Sequence, residues 1–299
     1  MQEKITVFTP TYNRAYILSQ LYQSLLRQNN KEFCWLIVDD GSTDNTKALV
    51  EQWIKDNKIR IKYYYQKNSG KMPAHNLGVE MTETKLFVCV DSDDYLVNNA
   101  IDLLIEEWEK YHNSSTIGII AKRGLRNGKP MGKGDFPHTK ICKMNSFMGK
   151  TFSGDTTICF ETSKLNKYKF PVIKGEKFIT EAYVYDQIDH DGYRYIILND
   201  IVTICEYRPD GYTMNMDLIS YQNPIGRMYH EAQNLQFACS LSDKIKACIR
   251  YNMYRDISHH KEVRNFSFFE RLLLTITVFP GYVLYKKKKK RISNINDVE

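Results

Sequence analysis

The sequence predicts an α/β protein, with a mostly parallel central sheet carrying helices on both faces and a C-terminal helical extension. Three observations carry this reading. Short apolar runs rich in β-branched and aromatic residues alternate with helical-period segments four times within the first 111 residues. Three of those runs end in polar or acidic clusters, at Thr11 to Asn13, Asp39 to Asp44 and Asp91 to Asp94, and ligands in parallel sheets gather at such strand ends. From about Met216 onward the pattern is helical. Strand and helix alternating in this way build a sheet covered on both faces, because a parallel neighbour is reached only by a crossover.

Taken in order, Ile5 to Phe8 is a strand closed by the turn formers Thr9 to Asn13. Ile17, Leu18, Leu21, Leu25 and Leu26 then share one helical face. Phe33 to Val38 is the second strand, and Leu49, Val50, Trp53 and Ile54 line the helix after it, which Ser42, Thr43 or Asp44 can cap. Ile59, Ile61, Tyr63 and Tyr65 alternate at strand period, and Gln66 to Lys71 is a loop. Pro73 to Met81 offers a helical face, Leu86 begins the central strand, and a helix follows from about Asn99 to Tyr111. Beyond it, Thr116 to Ala121 and Ile158 to Phe160 read as strands, separated by a Gly- and Lys-rich loop, Lys122 to Lys150, with few apolar anchors. A helix from about Glu181 to His190 and two strands, Tyr193 to Leu198 and Ile201 to Tyr207, complete the α/β part.

Composition narrows the function classes. With 26% charged and 42% hydrophobic residues the 299-residue chain is an ordinary globular protein. Its net charge of +7 comes largely from consecutive cations at Lys286 to Arg291. Seven scattered cysteines without a CxxC pair argue for reduced thiols and against a zinc site. Neither GxGxxG nor a P-loop is present. The start, MQEKITVFTP, shows no export leader, which sets the expectation of a cytoplasmic protein.

The stretch LFVCVDSDD, Leu86 to Asp94, ends in three carboxylates within four residues. Like charges so close need full solvation or a cation, and oxygen ligands suit Mg²⁺ or Mn²⁺. On the residues alone, a cation site and a solvated turn capping the next helix both stand open.

FTPTYNR, QNNKEFCWLIVDDGSTDNT, NSGKMPAHNLGVE and VDSDD occur in this order over the first 110 residues, and together they resemble the family 2 glycosyltransferases of GT-A (Rossmann-like) fold. FSGDTTICFETSKL, GEKFITEAYVYDQI and EYRPDGYT are similar to bacterial members that build surface polysaccharides. The resemblance implies an inverting transferase that uses a nucleotide sugar, a UDP-sugar above all, with Mn²⁺ or Mg²⁺. It implies nucleotide contacts at Pro10, Thr11 and Tyr12, base recognition by Asp40 with Asp39 orienting the loop, and polar contacts from Lys71 and Asn76. Asp91 would touch the ribose or share in the metal site, and Asp93 would be the principal metal ligand. A solvated loop lysine remains the alternative for Lys71.

Glu181, in FITEA, matches the first of the family's usual acidic pair, and Ala182 stands where the second would be. The resemblance thus implies Glu181 as general base, with Asp186 or Glu176 as substitutes. Asp155 is either an acceptor-side contact or a turn aspartate. No QxxRW motif is present, so one sugar is expected per encounter. A sugar nucleotidyltransferase lacks support because no Gly-rich basic loop follows the first strand; a silent scaffold of the same fold is the other alternative.

The expected division is a catalytic domain over 1–215, with a nucleotide-sugar half to about 115 and an acceptor half from about 116, and a helical extension over 216–299. In the extension, Leu272 to Leu284 is apolar but too short to span a bilayer and is interrupted by Pro280. With the lysine run it reads as an interfacial anchor on the inner face of the cell membrane, near a lipid-linked saccharide acceptor, or as a segment packed on protein. Nucleic acid is not an expected partner, and homo-oligomerisation is left open.

Overall fold

The computed structural model describes residues 3–206 and 212–296. It contains β1 (Ile5–Thr11), α1 (Leu18–Leu26), β2 (Phe33–Asp39), α2 (Thr46–Asp56), β3 (Ile61–Tyr65), α3 (Lys71–Glu80), β4 (Leu86–Cys89), β5 (Tyr95–Leu96) and α4 (Ala100–Tyr111). The pattern then loosens into β6 (Thr116–Leu125), β7 (Lys133–Gly134), β8 (Ile141–Cys142), β9 (Phe152–Ser153), β10 (Thr156–Glu161), α5 (Thr162–Leu165), α6 (Ala182–His190) and β11 (Arg194–Cys205). Helices α7 (Tyr212–Gln222), α8 (Pro224–Phe237), α9 (Leu241–Ser258), α10 (Phe268–Ile276) and α11 (Val278–Asn296) follow. The chain forms two compact units, Met1–Lys169 with Tyr185–Glu206, and Phe170–Val184 with Tyr207–Glu299. Residues 207–211, within EYRPDGYT, lie outside the described residues.

In the first unit, nine strands among the described residues form one sheet in the order β3-β2-β1-β4-β10-β6-β11-β5, with β8 beside β11. The first four are mutually parallel; β10 runs antiparallel to both β4 and β6, and β11 is parallel to β6. Alternation along each strand assigns the faces. Ile5 and Val7, Trp35 and Ile37, and Leu86 and Val88 point into one core with Leu21 and Leu25 of α1, Trp53 of α2 and Leu104 of α4. There Trp53 stacks on Tyr22 at 4.2 Å between ring centres and lies 5.7 Å from Trp35. Phe8 and Phe87 point the other way, stack at 5.2 Å, and are met edge-on by His75 of α3. Gly78 allows that approach: a Cβ there would sit 2.3 Å from the Phe8 ring. Phe160 and Tyr185 extend the same face to α6.

Three details differ from the sequence expectation. The two strands anticipated at Tyr193 to Leu198 and Ile201 to Tyr207 are one strand, β11, whose register against β6 shifts between Leu198 and Ile201; exposed Asn199 and Asp200 form an irregularity that the pairing absorbs. The expected loop Lys122 to Lys150 begins as the end of β6 and is pinned by buried Met131, Phe136 and Phe147. Phe136 meets Phe147 and Phe152 edge-on. Lys71, expected at the end of the loop, is the first residue of α3.

The second unit has its own core. Met228 and Leu235 of α8, Cys248 and Tyr251 of α9, Phe266, and Leu273 and Leu274 of α10 are buried together. Ser267 and Glu270 form a reciprocal cap at the start of α10. Buried Asn252 of α9 donates to the Leu274 carbonyl at 2.8 Å and to Thr277 Oγ1 at 3.0 Å, which ties α9 to the break between α10 and α11.

Candidate active site

The carboxyl edge of β1, β2 and β4 gathers most of the residues singled out in the sequence. Pro10 and Thr11 end β1 opposite Val38 and Asp39 of β2. Asn13, at φ +52°, accepts from the Thr43 amide at 2.8 Å while its own amide donates to Ser42 Oγ at 2.8 Å. Ala15 N–H donates to Asp44 at 3.0 Å. The loops after β1 and β2 are thereby stitched together, and Tyr12 stands out from them, 47% exposed.

Asp39 is fully buried and accepts from the Ser42 amide and the Tyr63 hydroxyl, both at 2.7 Å. Its neighbour Asp40 accepts from Gln66 Nε2 at 2.6 Å, the Ser69 amide at 2.8 Å and the Gly70 amide at 2.7 Å. Asp40 therefore holds the loop after β3 against the end of β2. Gly41, at φ +86°, permits the contact, since a Cβ would lie 2.7 Å from the Asn68 amide nitrogen.

That loop leads into α3, where Lys71 Nζ lies 2.8 Å from Asp91 Oδ1; Asn76 is one turn further along the same helix. The end of β4 closes in a turn, with the Asp94 amide donating to the Asp91 carbonyl at 3.0 Å. The three carboxylates of this turn have different environments. Burial raises the Asp91 carboxyl, but Lys71, Arg123 and Arg14 outweigh it, so it stays below the usual range. Asp93 is raised, by burial and by the charge on Asp91. Burial pushes Asp94 up to about 7 against the pull of Arg123, whose Nη1 lies 3.3 Å away. Sequence reading missed Arg14 and Arg123. Arg14 stands inside FTPTYNR, where the resemblance implies no role for it; Arg123 is a polar residue of β6 that only the sheet order brings to this turn.

No three His, Cys, Asp or Glu side chains among the described residues are grouped to hold a metal ion by themselves. The donor set suits a cation shared with a diphosphate, for which one or two carboxylates are enough. Asp91 and Asp94 have ion-pair partners in Lys71 and Arg123. Asp93 is partly buried and repelled by Asp91, and although Arg14 and Lys71 offset part of this its carboxyl stays raised, an environment that an added cation would relieve.

The acceptor-side candidates are more scattered. Asp155 is exposed just before β10, whose antiparallel register, with Cys159 opposite Val88, carries its start to the same edge as the β4 turn. Asp186 lies on α6 and is partly buried. Glu176 and Glu181 belong to the second unit. The Glu176 carboxylate accepts the Ile225 and Gly226 amides, both at 2.7 Å, and so caps the start of α8. Glu181 immediately precedes α6, and its carbonyl accepts from the Val184 amide at 3.1 Å. A cavity of about 160 Å³ opens at the amino ends of the strands, with Thr6, Cys34, Arg60 and Glu83 in its lining and no candidate carboxylate among the residues that line it.

Comparison with known proteins accords with this architecture. A GalNAc(5)-diNAcBac-PP-undecaprenol beta-1,3-glucosyltransferase of Campylobacter jejuni is 31% identical over 170 residues, 56% of this chain and 54% of that protein. A teichoic acid poly(glycerol phosphate) polymerase of Staphylococcus epidermidis is 35% identical over 119 residues, 40% of this chain and 16% of the polymerase. The chain thus spans about half or less of these relatives. S. aureus TarS in complex with UDP superposes with a TM-score of 0.60 at 20% identity, over 96% of this chain and 91% of that one. Mannosyltransferase PcManGT from Pyrobaculum calidifontis, in complex with GDP-Man and Mn²⁺, gives 0.57 at 16% identity, over 100% and 89%. At such identities the likeness is one of fold, the mixed α/β GT-A fold. Residues 6–169 match the model of glycosyl transferase family 2, and on that match, over more than half of its length, the chain belongs to this family.

Proposed function

We propose that the protein transfers one sugar per encounter from a UDP-sugar to a hydroxyl of a lipid-linked saccharide, with inversion, in the synthesis of a bacterial surface glycan. The observation that carries this reading is the convergence of the Asp40-held loop, the Lys71–Asp91 pair and Asp93 on one sheet edge. TarS has been solved with UDP and with UDP-GlcNAc, which supports the donor; the name of the Campylobacter jejuni relative supports an acceptor on a lipid diphosphate. We assign the donor side to 1–115 and the acceptor side to about 116–215, with 216–299 as an extension. The protein would work in the cytoplasm at the inner face of the membrane that holds its acceptor.

In this reading Pro10, Thr11 and Tyr12 line the base pocket beside Asp39 and Asp40, Asn76 adds a polar contact, and Lys71 opposes diphosphate charge while keeping Asp91 in place. Asp93, with Asp91 beside it, would hold Mn²⁺ or Mg²⁺, and such a cation when bound offsets the charge that grows on the departing diphosphate. Glu181 takes the proton of the acceptor hydroxyl, and Asp155 and Asp186 contact the acceptor. As the acceptor oxygen bonds to the anomeric carbon, the bond from that carbon to the phosphate oxygen breaks and its electron pair leaves with UDP.

Thermal unfolding of the full chain with UDP, GDP and UDP-sugars, each with and without Mn²⁺, tests the site, because a ligand of the folded state raises stability by mass action. Stabilisation by UDP that needs Mn²⁺ and is lost in Asp93→Ala is expected. Stabilisation by none of the nucleotides would overturn the transferase reading and leave the fold.

A further inference from the structure

We infer that the outer face of α10 and α11 is a docking surface for a bilayer rich in anionic lipid, on which the two helices lie without crossing. The inference deepens the membrane setting of the proposed function and rests on it. Phe268 is 86% exposed, Phe279 75% and Ile276 60%, and Phe269, Leu272 and Val283 are exposed beside them. An apolar surface of this kind, carried by two consecutive helices, is unusual unless something covers it.

The opposite face is already occupied. Leu273 and Leu274 are buried in the second unit's core, and Gly281 packs so closely on α9 that a Cβ would lie 2.6 Å from the Asn252 Cβ. Asn252 itself donates to the last turn of α10 and to Thr277 at the break. The pair is bent by 54° there, and no single described helix is long and apolar enough to cross a membrane. A span needs about 20 apolar residues in one helix, whereas these two reach that length and composition only together and across the bend. Each has one face against the second unit's core and one bare apolar face, and the lysine run follows directly, the arrangement of a segment lying in the interface.

Charge selects the occupant. Helix α11 continues without a break from the apolar stretch into Lys286 to Arg291. Lys288 is turned to the protein, 3.4 Å from Asp217, while Lys286, Lys287, Lys289 and Lys290 are exposed. Four exposed lysines one to three turns from exposed aromatics match an anionic headgroup layer above an acyl boundary.

The test is co-sedimentation of the full chain with vesicles of phosphatidylcholine alone or mixed with phosphatidylglycerol, with UDP–Mn²⁺ thermal stabilisation measured in parallel. The wild type should sediment with the mixed vesicles and far less with phosphatidylcholine. Replacing the four exposed lysines by Gln should weaken binding to mixed vesicles at least about tenfold, and Ile276→Asp with Phe279→Asp should abolish it, both with UDP stabilisation intact. Equal binding to both vesicles, binding that survives either variant, or a lipid-free dimer that Ile276→Asp with Phe279→Asp dissolves would each overturn the inference. No vesicle binding with UDP stabilisation intact would overturn the docking surface and leave the transferase reading; absent UDP stabilisation would overturn that reading instead.

Discussion

Removing the Asp40 carboxylate separates two roles for that residue. In Asp40→Ala, Gln66 Nε2 and the Ser69 and Gly70 amides lose their acceptor. Gln66 is partly exposed and can turn to water, but Gly70 is buried. A hydrogen bond to a charged group contributes about 1.5–3 kcal/mol, and an abandoned buried donor costs about 1–3 kcal/mol. Such terms do not add fully within one network, so a loss of roughly 3–5 kcal/mol is expected, with Asp40→Asn in between because one acceptor oxygen remains. Urea unfolding without nucleotide measures this directly, and the UDP-dependent increment then reports any role toward the base. If Asp40→Ala unfolded within about 0.5 kcal/mol of the wild type, a scatter normal for neutral surface changes, the loop-holding role would be refuted, whatever happened to UDP binding.

Two further outcomes follow from buried charges. Arg123→Met strips Asp94, which is almost fully buried, of its ion-pair partner. Since the Asp94 carboxyl is raised to about 7 even with Arg123 beside it, the loss in urea should be small below about pH 7, where Asp94 takes up a proton, and grow by about 1.4 kcal/mol per pH unit above it. Arg123→Met/Asp94→Leu should recover much of that at high pH, and a loss independent of pH would contradict the pairing. Burial raises the Glu176 carboxyl, although the Gly226 and Ile225 amides pull it down. Its contribution is therefore fully present below the ordinary carboxyl range and is lost as pH rises through the folded-state value, because the folded form binds more protons there. The stability difference between wild type and Glu176→Gln should thus move in favour of the variant from about pH 4 to about pH 7, by thermal unfolding across pH; a difference independent of pH would disprove it.

Much of the first 111 residues was legible because their structure is periodic. Ile5 and Val7, and Leu21 and Leu25, display the two-residue and helical repeats that the sheet and α1 require. What could not be read depends on partners distant in sequence. Nothing near Arg123 announces Asp94, 29 positions earlier, and nothing near Gln66 announces Asp40. The single strand β11 looked like two because Asn199 and Asp200 have turn chemistry, yet the pairing with β6 resumes beyond them with a changed register. The segment after β6 looked unanchored because its apolar residues are few, although Phe136 and Phe147 are buried. Lys71 is helical because Gly70, at φ +100°, makes the sharp entry that a loop reading did not foresee.

The stitching of Asn13 to Ser42 and Thr43, together with the grip of Asp40 on Ser69 and Gly70, bears on how this protein can be re-engineered. Three loops that a sequence alignment would treat as separate modules act as one casting. A loop exchanged alone from a relative would arrive without the groups that bond it to the other two, and its effects would not add to theirs. Under the proposed function, donor preference is therefore best altered by moving the ends of β1, β2 and β3 as a set.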